Sequence, residues 1–270
     1  MSKLATSLFT LLCTLSALSS VRGHGYVQEV YAGSRTYTGY LPYQDPYMSP
    51  QPERIIRRIP GNGPVQDVTL IDMQCNGYSD GGIIGSEPAP IYGTAPAGSI
   101  VGFNWTAWPD SHVGPVITYM AAAPSGIDIT EWQPGTDAVW FKVAEAGKTA
   151  DGEWAATDLL YTDNSIAYFT IPASLKPGQY LVRHEIIALH GAFNYPGAQF
   201  YPSCIQFEVT GSGSATPPSS YLVSFPGAYT PDTPGIVFDV YDNTDQPYPI
   251  PGPPVYVHSS LILQVSHDVL

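Results

Sequence analysis

Residues 179–189, with the sequence QYLVRHEIIAL, decide the fold because they form the longest of several β-favouring runs in this chain. Shorter runs rich in Val, Ile, Tyr, Phe and Thr, separated by Gly, Pro, Asp and Ser clusters, occur at residues 99–105, 116–121, 138–143, 166–171 and 204–210. No long segment keeps a helical period free of Gly and Pro. The pattern predicts an all-β chain, an antiparallel β-sandwich with long loops and little helix.

Two of the connections are long, at residues 31–64 and 193–201, and loops of this length usually carry function. Residues 211–218, GSGSATPP, resemble a flexible linker at which the domain could end. Residues 221–241 again combine apolar alternation with turn signals, however. We therefore expect the chain to return to the same domain after residue 218.

The first 23 residues predict a secretory signal peptide, because Lys3 supplies a positive start, residues 4–18 are apolar, and small residues precede position 24. This run is too short to span a bilayer, and no later segment reaches the roughly 18 to 20 apolar residues required. Cleavage after residue 23 leaves one domain over residues 24–254. A tail, residues 255–270, has no cysteine and is too short for a separate disulfide-stapled module. The predicted protein is soluble, secreted and extracellular, and it makes no membrane contact.

The charge balance argues against a nucleic-acid partner. The sequence has 10 Lys and Arg against 23 Asp and Glu, a net charge of −13, and loss of Lys3 and Arg22 with the leader makes it −15. Such a protein repels a phosphate backbone. Few charges in total, together with 26 Gly, 27 Pro and 19 Tyr, suit a secreted protein that faces a neutral, hydroxyl-rich ligand.

Two cysteines, Cys75 and Cys204, remain when Cys13 is removed with the leader. An even pair in an oxidising compartment predicts one disulfide, with two free buried thiols as the alternative. The bridge would close a loop of about 130 residues, which the chain-entropy model values at roughly 4 to 5 kcal/mol. Asn104, in Asn-Trp-Thr, is a candidate N-glycosylation site that fits secretion.

His24 becomes the mature N-terminus if the leader is cleaved after Gly23. An N-terminal histidine offers its free amine and a ring nitrogen to one ion, and an amine with a neutral imidazole is a good ligand set for copper. A site needs a second histidine, and His112 lies in a turn just before residues 116–121, at a predicted sheet edge. A loop histidine that is only solvated is the alternative.

The segment from His184 to His190 superficially resembles the zinc-protease helix motif, but position 188 is alanine where that motif needs its second histidine. Six residues along a strand span about 20 Å, so these two histidines cannot share one metal. Gln199 and Tyr201 point to the same face of an extended segment, so an amide and a phenol could approach one centre together. A tyrosine buried in the core is the alternative.

Six short motifs occur in order along the chain: HGYV (24–27), PGNGPV (60–65), SHVGPV (111–116), LH (189–190), QFYPSC (199–204) and FPGAY (225–229). In combination they resemble the cellulose-active lytic polysaccharide monooxygenases of auxiliary activity family 9, formerly glycoside hydrolase family 61. The resemblance runs from residue 24 to about residue 254, nearly the whole predicted mature chain.

The resemblance implies a copper histidine brace on an immunoglobulin- or fibronectin-like β-sandwich. His24 would bind one copper through its amine and ring, His112 through its ring, and Tyr201 as an axial tyrosine. His190 and Gln199 match the pair that hydrogen-bonds oxygen species at copper. Three nitrogen donors leave a position open for oxygen, and without a thiolate the set does not fit a blue-copper electron-transfer site.

The implied activity is oxidative cleavage of β-1,4-glucan chains such as cellulose, at C1 and/or C4, with an external electron donor and O2 or H2O2 as co-substrate. A crystalline polysaccharide is flat, so we expect tyrosines on the matching face of the protein, and Tyr47, Tyr241 and Tyr229 are the candidates, with packing in a loop as the alternative for each. The resemblance also implies that Cys75 and Cys204 form the family disulfide. A further short-range family disulfide is absent here. We expect a monomer without a carbohydrate-binding module.

Two other functions are considered. A glycoside hydrolase needs two carboxyl groups about 5 to 9.5 Å apart across the scissile bond, and Asp110, Glu131 and Glu185 show no pairing in the sequence. A noncatalytic copper- or cellulose-binding protein would keep the brace without turnover, and the presence of the residues expected beside the metal argues against it. A Ser-His-Asp hydrolase has little support because the chain has no Gly-x-Ser-x-Gly motif.

Overall fold

The computed structural model describes residues 24–162 and 164–257, so the predicted leader (1–23) and residues 258–270 of the predicted tail lie outside it. The strands of the described chain are β1 (Val27–Ala32), β2 (Arg35–Thr38), β3 (Gly77–Tyr78), β4 (Ile83–Ile84), β5 (Gly93–Pro96), β6 (Ile100–Trp105), β7 (Val116–Ala122), β8 (Phe141–Ala146), β9 (Ile166–Thr170), β10 (Gly178–Ala188) and β11 (Gln199–Thr210). The helical segments are short: α1 (Asp72–Cys75), a π-helical turn (Ala155–Leu159) continuing into α2 (Leu160–Thr162), and 3₁₀ turns at Asp45–Tyr47, Ser79–Gly81 and Ser219–Tyr221.

The strands form the predicted β-sandwich. One sheet has the order β2-β1-β6-β9 and the other β5-β11-β10-β7-β8, while β3 and β4 form a small separate ladder. The named strands of the described chain pair antiparallel except β5, which runs parallel to β11 and in this respect departs from the prediction. No hairpin joins β5 to β11, since β5 continues into β6 of the other sheet, so nothing forces the antiparallel direction.

Strand β10 is buried on both faces, which explains why its apolar run does not alternate with polar residues. Val182 and Ile186 lie in the core between the two sheets. Leu181 and Ile187 point to the opposite face and belong to a second core cluster, which residues 223–250 cover from outside. Each fully buried side chain of this size contributes about 1.5–3 kcal/mol. The C-terminal part of the chain is therefore part of the domain, as predicted for the residues beyond 218.

A buried ion pair lies on the outer face of β10. Arg183 forms a bidentate pair with Glu185, and its Nη2 also donates to the carbonyl oxygen of Met73 at 2.8 Å. Its Nε donates to the carbonyl oxygen of Gln74 at 3.1 Å. Buried charges are stable only when they are paired and hydrogen-bonded, and here both conditions hold. The arginine thus fixes α1 against β10.

The predicted disulfide is confirmed. Cys75, the last residue of α1, is bonded to Cys204 in β11, 129 positions later, with the two Cα atoms 5.1 Å apart. The bridge and the arginine contacts hold the same short helix from two sides.

The described chain packs against the core beyond residue 254, the predicted end of the domain. The Tyr256 ring is buried and contacts Phe141 and Tyr221, with ring centroids 5.7 and 5.3 Å apart. Its N–H donates to the carbonyl oxygen of Lys142 at 2.8 Å. An aromatic residue with these partners is held in the core. The described domain therefore continues at least to Val257.

The predicted glycosylation site lies within a sheet. Asn104 is in β6, and its Nδ2 donates to Glu29 Oε2 at 2.9 Å and to the hydroxyl of Tyr31 at 3.1 Å. A glycan on this nitrogen would replace at least one of these hydrogen bonds, and glycosylation stays a prediction. In the described part of the chain, no helix has the length and apolar character needed to cross a membrane.

Candidate metal centre

His24 lies three residues before the start of β1, and neighbouring segments hold the backbone there. Tyr26 N–H donates to Thr106 Oγ1 at 3.1 Å, and Thr106 N–H donates back to the Tyr26 carbonyl at 3.0 Å. Glycine is required at position 25, between His24 and Tyr26, since a Cβ there would lie 2.9 Å from Cε3 of Trp108. The start of the described chain is therefore docked against the segment that follows β6.

A second contact reaches His24 from the first long loop. Asn62 Nδ2 donates to the His24 carbonyl at 3.2 Å. Tyr43 orients this amide, because its hydroxyl donates to Asn62 Oδ1 at 2.7 Å and accepts from Asn62 N–H at 3.1 Å. The Tyr43 ring in turn lies 6.4 Å from the Tyr26 ring.

His112 is buried in the turn before β7. Its N–H donates to the carbonyl of Pro109 at 3.0 Å, and Trp108 Nε1 donates to its carbonyl at 3.0 Å. Its ring stacks on that of His190, with centroids 3.9 Å apart and planes inclined by 29°. Burial, and then the nearby His24, lower the pKa of His190, so this ring is neutral at pH 7.

Tyr201 lies in β11 with its ring buried beside the two histidines. Its hydroxyl donates to Gln199 Oε1 at 2.7 Å, and its ring packs edge-on against Trp108 at 4.9 Å. The two-residue spacing along β11 puts Gln199 and Tyr201 on one face, as predicted. Burial raises the pKa of the Tyr201 phenol well above its usual range, so the phenol keeps its proton.

The structure gathers these residues at the end of the sandwich where β10 and β11 meet their connecting loop. The His24 and His112 rings are 5.8 Å apart between centroids and inclined by 79°, and the Tyr201 ring lies 6.0 Å from that of His24. Metal–imidazole bonds are about 2 Å long, so one ion fits between the two histidine rings. Two imidazoles and a neutral phenol, with the amine exposed if the leader is removed, form a donor set suited to copper.

Within the described ranges, no three His, Cys, Asp or Glu side chains converge to hold a metal ion. His184, the other histidine of the segment 184–190, lies in the core, where Trp105 Nε1 donates to its Nε2 at 3.1 Å and Thr118 Oγ1 lies 2.9 Å from its Nδ1. Desolvation, and then Arg183, lower the pKa of His184 to about 3.

Of the three tyrosines predicted to lie on the substrate-binding surface, Tyr229 is buried instead. Tyr229 is only 2% exposed, and its hydroxyl donates to Glu185 Oε1 at 2.7 Å and lies 3.0 Å from the hydroxyl of Tyr119. It is a core residue whose ring packs against Phe200 and Phe225, and its hydroxyl satisfies the buried carboxylate of Glu185. Tyr47 and Tyr241 are 84% and 65% exposed, and their contact with a substrate stays a prediction.

The structure excludes Glu185 as the acid or base of a hydrolase, since this carboxylate is fully buried and paired with Arg183. Asp110 lines a surface cavity of about 430 Å³ together with Glu153 and Asp158. Glu131 is an exposed residue of a turn, where its N–H donates to the Asp128 carbonyl at 2.9 Å.

Sequence reasoning missed several residues that shape the site. Trp108 touches Tyr201 and donates to the His112 carbonyl, and Asn62 and Tyr43 hold His24 in place. Phe193, three residues after His190, is 60% exposed. The motif PGNGPV contains Asn62, but nothing in its composition indicated which backbone group the amide would bind.

The fold and this cluster together define a class of protein, a β-sandwich that brings two histidines and a buried tyrosine to one end of its larger sheet. The model of Auxiliary Activity family 9 (formerly GH61) matches residues 24–248, and the chain belongs to this family. It is accordingly an enzyme, a copper-dependent oxidoreductase of the lytic polysaccharide monooxygenase type.

Similar proteins agree with this assignment. The AA9 family lytic polysaccharide monooxygenase B of Gloeophyllum trabeum is 57% identical over 248 residues, which cover 92% of this chain and 96% of that protein. The AA9 family lytic polysaccharide monooxygenase B of Malbranchea cinnamomea is 55% identical over 240 residues, 88% of this chain and 94% of that protein.

Solved structures show the same fold. The extended catalytic domain of LPMO9A (EG4) from H. jecorina superposes with a TM-score of 0.76 at 31% identity, covering 86% of this chain and 90% of that one. A cellulose-active polysaccharide monooxygenase from M. thermophila superposes with a TM-score of 0.70 at 32% identity, covering 86% of this chain and 99% of that one.

Proposed function

We propose that this protein is secreted after removal of residues 1–23 and oxidatively cleaves the β-1,4-glucan chains of cellulose. Cleavage at C1 and/or C4 would use an external electron donor and O2 or H2O2. The observation that carries the proposal is the meeting of His24, His112 and Tyr201. The centroid of the His112 ring lies 5.8 Å from that of His24, and the centroid of the Tyr201 ring lies 6.0 Å from it. The cellulose-active structural relative supports the choice of substrate.

His24 would hold one copper ion through its new terminal amine and its ring, and His112 through its ring. Bound copper supplies one-electron transfer between its two oxidation states and a centre for the oxygen co-substrate. The hydrogen bonds of Thr106 to Tyr26 and of Asn62 to the His24 carbonyl, with the tight packing at Gly25, hold the backbone that carries the His24 ligands. Preorganised ligands bind a metal more tightly because less chain entropy is lost on binding.

Tyr201 contributes a neutral phenol beside the histidines. Its raised pKa and its hydrogen bond to Gln199 keep the proton on the hydroxyl, so the phenol adds no charge to the centre and binds weakly. His190 is neutral because its pKa is lowered, and it can hydrogen-bond an oxygen species without adding positive charge next to His112.

The substrate face would carry Tyr47 and Tyr241. Both rings are largely exposed, and a tyrosine ring can stack on a sugar while its hydroxyl stays in water. Mainly neutral stacking fits a protein with few charges, whose net charge is −15 once Lys3 and Arg22 are removed with residues 1–23. We expect a monomer that binds cellulose or a related β-glucan through this face, with no nucleic-acid or membrane partner.

The test is a digest of phosphoric-acid-swollen cellulose by correctly processed, copper-loaded protein with ascorbate, followed by mass spectrometry of the products. Oxidised oligosaccharides are expected, and they should disappear with a chelator or when one residue is added before His24. The position of oxidation distinguishes C1 from C4 attack. Unoxidised sugars without reductant would support a hydrolase instead, and tight copper binding without products would support a binding protein.

A further inference from the structure

Residues 239–246 form a loop that connects the candidate metal centre to the C-terminal end of the domain. Just before it, Phe238 N–H donates to the carbonyl of Ala192, two residues after His190. Just after it, the buried Tyr248 donates its hydroxyl to the Gly235 carbonyl at 2.8 Å. Between these two anchors the loop presents Tyr241, with most of its side chain exposed.

The loop makes few hydrogen bonds of its own. Asp239 Oδ1 accepts from the N–H groups of Tyr241 and Asp242 at 2.9 and 3.2 Å, and Asn243 N–H donates to the Asp239 carbonyl at 3.0 Å. These contacts order the first half. In the second half, Gln246 N–H donates to the Asn243 carbonyl at 3.2 Å.

One ammonium group binds the second half from outside. Lys148 Nζ donates to the carbonyl oxygens of Asn243 at 3.3 Å and Gln246 at 3.2 Å, and to that of Thr244. An ammonium has three protons to donate, so these three carbonyls satisfy it completely. A charged donor makes stronger hydrogen bonds to carbonyls than a neutral one.

The sequence offers no nearby Lys or Arg that could take over the charge of Lys148. Residues 184–270 contain no Lys or Arg, so no cation from this part of the chain can neutralise Asp239, Asp242 and Asp245 of the loop. Lys148 supplies a positive charge from another element. Its loss would leave the three loop carboxylates repelling one another, with Asp151 close by on the cavity that Lys148 and the loop line together.

Lys148 is itself on a fixed element. It pairs with Trp154 across a short hairpin, where Thr149 N–H donates to the Glu153 carbonyl at 2.8 Å, and its ammonium lies 5.9 Å from the centre of the Trp154 ring. Trp154 is buried, and its N–H donates to Asp158 Oδ2 at 2.7 Å. The hairpin thus provides a rigid base against which the loop is held.

We propose that Lys148 is a positioning residue: by binding the three carbonyls of the 239–246 loop, it holds Tyr241 on the substrate-binding face. Lys148 does not touch the substrate and acts through the loop. The role in binding rests on the proposed function, whereas the ordering of the loop by Lys148 does not.

The variant Lys148→Met tests this, because it removes the ammonium and keeps an unbranched stem over Trp154. Lys148→Arg retains a charge and several donors. Lys176→Met is the matched control, since it removes the same charge from an exposed lysine that lines a different surface cavity. Tyr241→Ala and the double variant Lys148→Met/Tyr241→Ala complete a thermodynamic cycle.

Amide hydrogen exchange is measured first on metal-free protein, because this measurement needs neither copper nor substrate. We expect about tenfold faster exchange in residues 240–246 of Lys148→Met, little change in Lys148→Arg, and none in Lys176→Met. Unchanged exchange in Lys148→Met would overturn the proposal. Exchange that increases throughout the domain would also overturn it, because the lysine would then be only a stabilising residue.

Binding of the copper-loaded variants to cellulose is measured second. We expect Lys148→Met and Tyr241→Ala each to weaken binding by about three- to tenfold, with the double variant no weaker than Tyr241→Ala alone, because both changes remove the same ring contact. The copper spectrum should not change. Additive losses in the double variant would refute action through Tyr241. Faster loop exchange together with a wild-type protein that does not bind cellulose would refute the proposed function while supporting the ordering of the loop by Lys148.

Discussion

Replacing Gly25 by alanine should disturb the metal centre through one added methyl group. The new Cβ would lie 2.9 Å from Cε3 of Trp108 and 3.1 Å from Oγ1 of Thr106, whereas favourable carbon–carbon contacts lie at about 3.5–4.0 Å. Trp108 cannot move away freely, because its ring packs against Tyr201 at 4.9 Å and its Nε1 donates to the His112 carbonyl. The backbone at residue 25 must therefore shift by roughly 0.5 to 1 Å, and His24 moves with it.

A ligand displaced by this distance should weaken copper binding by about 10- to 100-fold, the range found when groups that orient metal ligands are altered. Overpacking should also lower the free energy of unfolding by about 1–3 kcal/mol. Competition titration gives the Cu(II) affinity and electron paramagnetic resonance reports the ligand geometry. Gly63→Ala is the control, because a Cβ there meets nothing within 4 Å. If Gly25→Ala binds copper as tightly as Gly63→Ala with the same spectrum, close approach at residue 25 does not position His24.

Three other perturbations test other parts of the structure. Tyr229→Phe removes a donor to the buried Glu185 and should cost about 1–3 kcal/mol in unfolding free energy while cellulose binding stays unchanged; weaker binding without loss of stability would restore Tyr229 to the substrate face. The pKa of His184 is lowered to about 3 from an ordinary 6.5, so only the unfolded chain takes up this proton as the pH falls. The stability that depends on this neutral imidazole is fully present above pH 6.5, and below that pH it falls by up to about 1.4 kcal/mol per pH unit. Urea unfolding at pH 6.5 and pH 5 measures this loss. Equal free energies of unfolding at the two pH values would contradict a buried, neutral His184. Replacing Cys75 and Cys204 together by alanine should cost about 4 kcal/mol, measured by chemical unfolding, and a loss under 1 kcal/mol would show that Arg183 alone holds α1 in place.

The β-sandwich was predictable because β-favouring runs and turn clusters are local properties of the sequence. The run at residues 179–189 became β10, and its lack of alternation has a tertiary cause, a core on each face. The parallel direction of β5 was not predictable, since no short connection joins it to β11. The packing of Tyr256 beyond residue 254 was not predictable, because it depends on Phe141 and Tyr221, which are distant in the sequence.

The candidate site was predictable from motifs rather than from spacing. His24, His112 and Tyr201 are far apart in the sequence, and only the ordered set of motifs indicated that they would meet. Tyr229 was misplaced because an aromatic residue in a loop-like segment carries no sign of the buried carboxylate that it serves. The contact of Asn62 with His24 was not predictable for a related reason, since its partner is a main-chain carbonyl.

The source of the oxygen atom in the products tests the central claim most directly. Cellulose is treated with copper-loaded, correctly processed protein, reductant, and O2 or H2O2 carrying the heavy oxygen isotope in ordinary water, and the oligosaccharides are weighed by mass spectrometry. Samples are reduced with borohydride at once, because a C4 ketone would otherwise exchange its oxygen with water. Products that carry one heavy oxygen atom from the co-substrate are predicted, and none should form from the His112→Ala variant. Products that contain oxygen only from water and form equally with His112→Ala would contradict a monooxygenase centred on His24 and His112.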